Sequence, residues 1–279
     1  MTDTQNVNCI VCHNTMVENK TWLFECPYCR LLSAKLESGT GAPVQGVESL
    51  RKQNFKIILD DISRLFPSGG RILEIGCARG WFLDEAKARQ FSVSGIEPDA
   101  GLAKSATSKG HDVRTGFFPD TLNGEETFDI IIFNDVFEHL PTPPETLQAC
   151  HRFLAENGLL VINLPDRGGI FYRIAQVLDG VGLSKPLERL WQKNFSSPHL
   201  FYFNANNLAH FVGDHGFHFA HHRHLKSVAL EGLWDRLRSG NKTFILWTAL
   251  LWVGIVLVIP ILTLLPKDIS VSCFRKGGR

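Results

Sequence analysis

Four cysteines stand in two close pairs, Cys9-x-x-Cys12 and Cys26-x-x-Cys29, with the segment TMVENKTWLFE between them. Each Cys-x-x-Cys turn points two thiolates at one ion, and a hairpin between the pairs brings all four sulfurs into a tetrahedral set. Zinc is the expected ion; iron in a similar four-thiolate knuckle is the alternative, because sulfur geometry discriminates poorly between the two. His13, beside the first knuckle, is read as solvent-facing. A segment of this size cannot build its own core, so the metal is expected to supply its fold.

A second group able to do chemistry is ILEIGCARGWF, Ile72 to Phe82. Apolar Ile72, Leu73 and Ile75 flank Glu74; a turn from Gly76 through Cys77 and Ala78 to Gly80 then opens into WFLDEAKARQ. A buried strand therefore runs through a glycine turn into a helix. The backbone N–H groups at such a corner suit a carboxylate or a phosphate. A dinucleotide fingerprint needs glycines at positions that carry Ala78 and Trp81 here, which disfavours a nicotinamide dehydrogenase. Glu74 stands two residues before the first glycine, where it can meet an ammonium group. Glu97 ends the next strand-like run, FSVSGIEP, about twenty residues on, the distance of an acid that grips two ribose hydroxyls.

EIGCARG resembles the first motif of the class I S-adenosylmethionine-dependent methyltransferases, with Ala78 in place of the middle glycine, and Glu97 falls where their second-strand acid stands. FDIIIFNDVFEHL resembles their fourth strand and the segment after it, and NGLLVINLPD, Asn157 to Asp166, their fifth strand. Together the resemblance covers roughly residues 50 to 230 and the tail strand. It implies a Rossmann-like α/β fold with a mostly parallel sheet and an antiparallel last strand. It also implies S-adenosylmethionine as cofactor, with its methionine end over Gly76–Gly80 near Glu74 and its ribose on Glu97. Gly116 and Phe117, in HDVRTGFFPDTL, are expected beside the adenine, although Phe117 reads equally as core. Asn134, Asp135 and Val136 begin the loop over the sulfonium.

Methyl transfer asks mainly for alignment, and a base is needed only when the acceptor arrives protonated. His139, just past a strand end, is one candidate base; the competing reading has Glu138 and His139 bracing the following PTPP loop. His199, before a helix capped by Asn204, is the other candidate. The histidines of FHFAHHRHL are read as an exposed strand, with His218, His222 and His224 on one face and His221 and Arg223 on the other.

Around these groups the 279 residues divide into a zinc ribbon (1–36), a linker (37–47), a methyltransferase domain (48–242), a hydrophobic segment (243–266) and a last strand with tail (267–279). A formal charge of +1 argues against a dedicated nucleic-acid binder. Seven cysteines, four of them in tight pairs, fit a reducing compartment, and MTDTQNVNCIVC lacks the look of a secretory signal, so a cytoplasmic location is expected. VESLRKQNFKIILDDISRLF has helical apolar spacing up to Pro67. TFILWTALLWVGIVLVIPILTLLP carries no charge and is long enough to reach across a bilayer. ISVSCFRKG behind it alternates as a strand, and Arg and Lys flank the segment on both sides. The apolar stretch is therefore expected to be a monotopic membrane anchor between the last two strands, turning back near Gly254 or Pro260; burial in a homodimer is the alternative. The whole reads as methyl transfer to a small-molecule acceptor that is a lipid or lipid-linked. The alternatives are a membrane-tethered enzyme for soluble sugar-nucleotides and a non-catalytic scaffold.

Overall fold

The computed structural model describes residues 7–41, 46–228, 231, 233–238, 245–262 and 264–277. Residues 42–45 of the expected linker, Lys242, and residues 243, 244 and 263 of the hydrophobic segment lie outside the described residues. Strands β1 (Val17–Lys20), β2 (Leu23–Glu25) and β3 (Leu32–Ala34) form an antiparallel ribbon. Helix α1 (Glu48–Leu65) follows and stops two residues short of Pro67, which keeps its preceding residue out of the helical region.

Alternation of strand and helix then builds the main sheet: β4 (Arg71–Ile75), α2 (Trp81–Lys87), β5 (Ser92–Glu97), α3 (Ala100–Thr107), β6 (Asp112–Thr115) and β7 (Phe128–Asn134). A single 3-10 turn, Phe137–His139, leads to α4 (Pro143–Phe153) and β8 (Leu154–Pro165). Next come α5 (Ile170–Gly180), α6 (Lys185–Leu190), β9 (Phe201–Tyr202), α7 (Ala205–Gly213) and β10 (Phe217–Leu225). The chain ends with α8 (Leu233–Arg238), α9 (Ile245–Leu262) and β11 (Ile269–Lys276). The order across the sheet is β10-β11-β8-β7-β4-β5-β6. Strands β4 to β8 pair in parallel, whereas β11 lies antiparallel between β8 and β10. Chain order reverses at β4, which pairs with both β5 and β7, so a crevice opens beyond its carboxyl end.

Strands buried on both faces read as continuous apolar runs, and residues 130–133 of β7 do so because helices cover each face. On one face, Ile58 and Ile62 of α1 and Phe82 of α2 pack on Ile72, Ile130, Val161 and Cys273. On the other, Leu147 of α4 and Phe211 of α7 pack on Ile131, Phe133, Leu160 and Phe274, and the ribbon's Val11, Met16 and Phe24 join the same core. The ribbon gains a fourth strand, since β3 pairs with β9, and its Leu23 and Leu32 pack with Tyr172, Leu187 and Trp191.

The apolar segment differs in detail from its sequence reading. It leaves after β10 and returns as β11, but α9 runs as one helix over Gly254 and Pro260 rather than turning back there. An internal glycine costs a helix only about 1 kcal/mol, too little to end one. Eighteen residues span about 27 Å at the helical rise, and among the described residues no helix is long and apolar enough to cross a membrane. Trp247, Leu250 and Leu257 are each more than half exposed, while Thr248 is buried and α9 packs on α8.

The histidine strand is also corrected. A bulge between Phe219 and His221 inserts an extra residue, which puts His218 on the face of His221 and Arg223 and leaves His222 and His224 together on the other. His221 and Arg223 are not merely solvent-facing. They meet Asp61 of α1, a carboxylate 1% exposed, at 3.2 Å and 2.9 Å, and Arg64 also bonds it. Asp61→Ala removes the carboxylate that Arg64, Arg223 and His221 share; since the arginines stay 58% and 41% exposed, what is lost is the set of hydrogen bonds to a charged group, and the expected loss of unfolding free energy is about 1.5–3 kcal/mol. Urea denaturation of both proteins checks it; a loss below 1 kcal/mol, roughly the worth of a surface pair, would contradict the assignment.

Candidate active site

The crevice beyond β4 is shaped by backbone that few residues tolerate. Gly76 has φ 70°, and a Cβ there would lie 2.6 Å from Val136 Cγ2, so the turn accepts only glycine at this point. Ala78 takes φ 46°, the left-handed region a middle glycine would occupy without strain, and accepts the crowding of its Cβ. Its N–H donates to Glu97 Oε2 at 2.8 Å, while Asp99 N–H donates to Oε1 at 2.9 Å. Glu97 thus ties the glycine turn to the start of α3. It does not cap that helix, since Asp99 accepts from Leu102 N–H as the N-cap. Burial raises the Glu97 carboxyl above its usual range, opposed by these two N–H groups.

Glu74 lies beneath the turn, 3% exposed. Burial pushes its carboxyl up to about 8, against the pull of the Asn134 amide, which donates to Oε1 at 2.8 Å. Asn163 donates in turn to Asn134, and Glu74 Oε2 has no hydrogen-bond partner. Asp135, at φ 54°, is held by its N–H to Asn163 O and by an ion pair of 2.9 Å with Arg51 of α1.

A cavity of about 1230 Å³ opens over this corner. Gly76, Glu97, Gly116, Phe117, Asp135 and Val136 lie on its wall, as do His139 and His199 farther along. Glu74, Cys77, Ala78, Gly80 and Asn134 are not among its lining residues. Cys77 is turned into the core against Gly95, and Gly80 starts α2 in a left-handed conformation. Phe117, which the sequence left between core and site, is 70% exposed. Single-ligand pockets usually measure 300–1,000 Å³, so this one has room for two molecules side by side.

At the far end two histidines and one acid converge. The rings of His139 and His199 meet edge to face at 4.6 Å, and Glu138 Oε1 lies 3.9 Å from Nε2 of each. His139 Nδ1 bonds the Pro198 carbonyl at 2.8 Å; a carbonyl only accepts, so Nδ1 carries the proton and Nε2 keeps its lone pair. The Gln192 amide meets His199 Nε2 at 2.9 Å. Burial lowers the pKa of both histidines, with the His139 ring adding to the effect at His199. Burial, reinforced by Asp135, raises Glu138 well above the carboxylate range, and neither of its oxygens has a hydrogen-bond partner. The three groups are close enough either to share a proton or to hold a cation. His139 and His199, both named from the sequence, are brought together here; Arg51 and Gln192, which hold Asp135 and His199, were not foreseen because they occupy unremarkable polar positions of α1 and the loop after α6.

In the ribbon the cysteines pair across the knuckles, Cys9 with Cys29 at 3.4 Å and Cys12 with Cys26 at 3.3 Å, and all four sulfurs lie within 4.8 Å of one another. His13 is exposed at a left-handed turn position and is not one of this set.

Known proteins share this architecture. The ubiquinone biosynthesis O-methyltransferase of Pseudomonas aeruginosa is 28% identical over 119 residues, 39% of this chain and 50% of that protein. The chain thus spans about half the length of the curated relatives it matches. Among solved structures, a methyltransferase of Thermotoga maritima described as a possible histamine N-methyltransferase superposes with TM-score 0.53 at 17% identity, covering 82% of this chain and 91% of that one. A cyclopropane synthase of Mycobacterium tuberculosis gives 0.54 at 16% identity, covering 78% and 84%. Magnesium protoporphyrin IX methyltransferase of Synechocystis with bound S-adenosylhomocysteine gives 0.52 at 12%, covering 86% and 90%. At such identities these structures speak for the fold. Residues 50–222 match the family described as a methyltransferase domain, more than half of the chain, and the protein therefore belongs to the class I S-adenosylmethionine-dependent methyltransferases.

Proposed function

We propose that the chain methylates a hydroxyl oxygen of a small apolar acceptor presented at a lipid surface. The observation that carries this reading is the continuity of one cavity. It joins Glu97 and the glycine turn to the buried His139–His199 pair, then runs on to Phe171, Ile174 and Ala175 of α5. Val177 and Val181 continue that helix's apolar side and are 71% and 72% exposed. Exposed apolar surface on α5 and α9 favours a lipid over a sugar-nucleotide substrate. The O-methyltransferase relatives support oxygen as the methylated atom.

The residues suit S-adenosylmethionine. Each oxygen of Glu97 holds one backbone N–H and keeps a lone pair, so the carboxylate can accept from both hydroxyls of a ribose. Glu74 Oε2, buried and unpartnered, can accept from an ammonium group behind the turn, and that cation would draw the carboxyl down from about 8 and leave it ionised. When bound, the cofactor supplies a methyl group on a sulfonium that is already a good leaving group. Asp135, fixed by Arg51, adds negative charge beside that position. His139 Nε2 takes the acceptor's proton; the imidazolium that forms carries a positive charge that protonated Glu138 does not offset, so the proton then passes on to solvent and returns the buried cluster to neutrality. Zinc on Cys9, Cys12, Cys26 and Cys29 fits the sulfur set and ties the ribbon ends together.

Calorimetric titration of the metal-loaded protein with S-adenosylhomocysteine tests the cofactor site, with NAD as control. Saturable binding is expected, weakened about tenfold to a hundredfold by Glu97→Ala, the worth of hydrogen bonds to a charged group. Absence of binding in folded protein sinks the reading. For the base, burial sets His139 below its ordinary 6.5, so the reactive neutral form prevails above that pH and the acid limb of kcat/KM is expected below it. His139→Ala should lower kcat by about 10²–10⁴ while leaving S-adenosylhomocysteine affinity unchanged. Flotation with vesicles of phosphatidylglycerol and phosphatidylcholine tests the lipid surface: wild type is expected to float, and the exposed-site double variant Leu250→Glu, Leu257→Glu to stay at the bottom. Equal flotation of the two removes α9 from the proposal.

A further inference from the structure

Past the bulge β10 is regular, and on the side of the sheet away from Asp61 His222 and His224 share one face, two residues apart, with ring centroids 4.9 Å from each other. Asp166, the residue after β8, reaches the same point from across β11, and its Oδ2 lies 3.9 Å from His224 Nδ1. One ligand atom from each of the three residues lies within 4.8 Å of the others. Asp166 is 4% exposed and its Oδ1 is already fixed by the N–H of Gly168 at 2.7 Å. His222 Nδ1 bonds Ser272 Oγ of β11 at 3.0 Å, while its Nε2 is buried and has no hydrogen-bond partner.

This is the pattern of an imidazole prepared to ligate. One ring nitrogen is held by an outer partner that sets the tautomer and the ring plane, and the other is left facing its neighbours with nothing to bond. We propose that Asp166, His222 and His224 bind a divalent first-row transition ion, distinct from the cysteine quartet and from the methyl-transfer cavity's histidines. Two imidazoles and a carboxylate form a borderline donor set that suits zinc and its neighbours rather than calcium or magnesium. His224, half exposed, leaves a route for the ion from solvent and room for a fourth ligand, a water. The ion joins the loop entering α5 to the end of the strand from which the α8–α9 insertion leaves. Its effect is to hold one wall of the cavity against the root of that insertion.

Zinc counting after equilibrium dialysis of the full chain tests this. His222→Ala and His224→Ala are each expected to hold one equivalent less than wild type. Cobalt substitution separates the sites, because thiolate ligands give an intense charge-transfer band that imidazole and carboxylate do not; that band should survive both substitutions. Ser272→Ala, which removes only the outer partner, should weaken the lost site's affinity about tenfold to a hundredfold. His224 is exposed enough for its alanine variant to fold, and circular dichroism checks that it has. An equal zinc count in wild type and in folded His224→Ala overturns the proposal, as does loss of the thiolate band with the histidines.

Discussion

The placement of β11 between β8 and β10 is the constraint on which the remaining architecture depends. Its residues Val271, Cys273 and Phe274 are fully buried, so the last strand is central rather than peripheral. It must be paired on both edges, or two neighbouring strands lose a row of hydrogen bonds each. That requirement sends the chain out after Leu225 and back at Ile269, with both ends of the insertion at the same end of the sheet. It also brings Asp268 beside the first turn of α5, where its carboxylate accepts from Phe171 N–H at 2.8 Å. The α5 wall of the cavity is thereby fixed by the last strand of the sheet.

The methyl-transfer corner rests on a smaller version of the same logic. One carboxylate, Glu97, satisfies two backbone donors from different loops, and through them sets the turn's curvature. Glycine is required at Gly76 because Val136 fills the space a side chain would need. Ala78 shows that the second position is less crowded, since strain there is local and is offset by its bond to Glu97. The buried acids differ in their partners: Glu97 accepts from two backbone N–H groups, whereas Glu74 keeps one oxygen unpartnered and Glu138 both, and burial raises the last two.

Much of the fold was legible in the chain because its signals were local. Apolar runs bounded by Gly76 and Asn134, the helical spacing of Leu50 to Phe66, and the Asn204 cap each report on a few neighbouring residues. Of the candidate site, the positions that could be foreseen on the cavity wall were those where motif and fold coincide, as at Glu97, and where a loop follows a strand, as at His139. What escaped was long-range. Nothing near Arg51 announces Asp135, and nothing near Asp61 announces Arg223. His222 and His224 were placed together correctly, but His218 was put on the wrong face because a single extra residue, Ala220, reverses alternation before it, and β-bulges have no reliable sequence mark when they lack glycine. The path of α9 was misread because Gly254 suggests a break that continuous apolar flanks override.

The position of β11 also dictates an order of events during synthesis. Residues 245–262 leave the ribosome before 269–276 do, so for a time β8 and β10 present unpaired edges while an uncharged helix is already exposed. Until the final strand emerges, the sheet is open and its most apolar appendage is free. The nascent chain is therefore most prone to aggregate just before its fold closes.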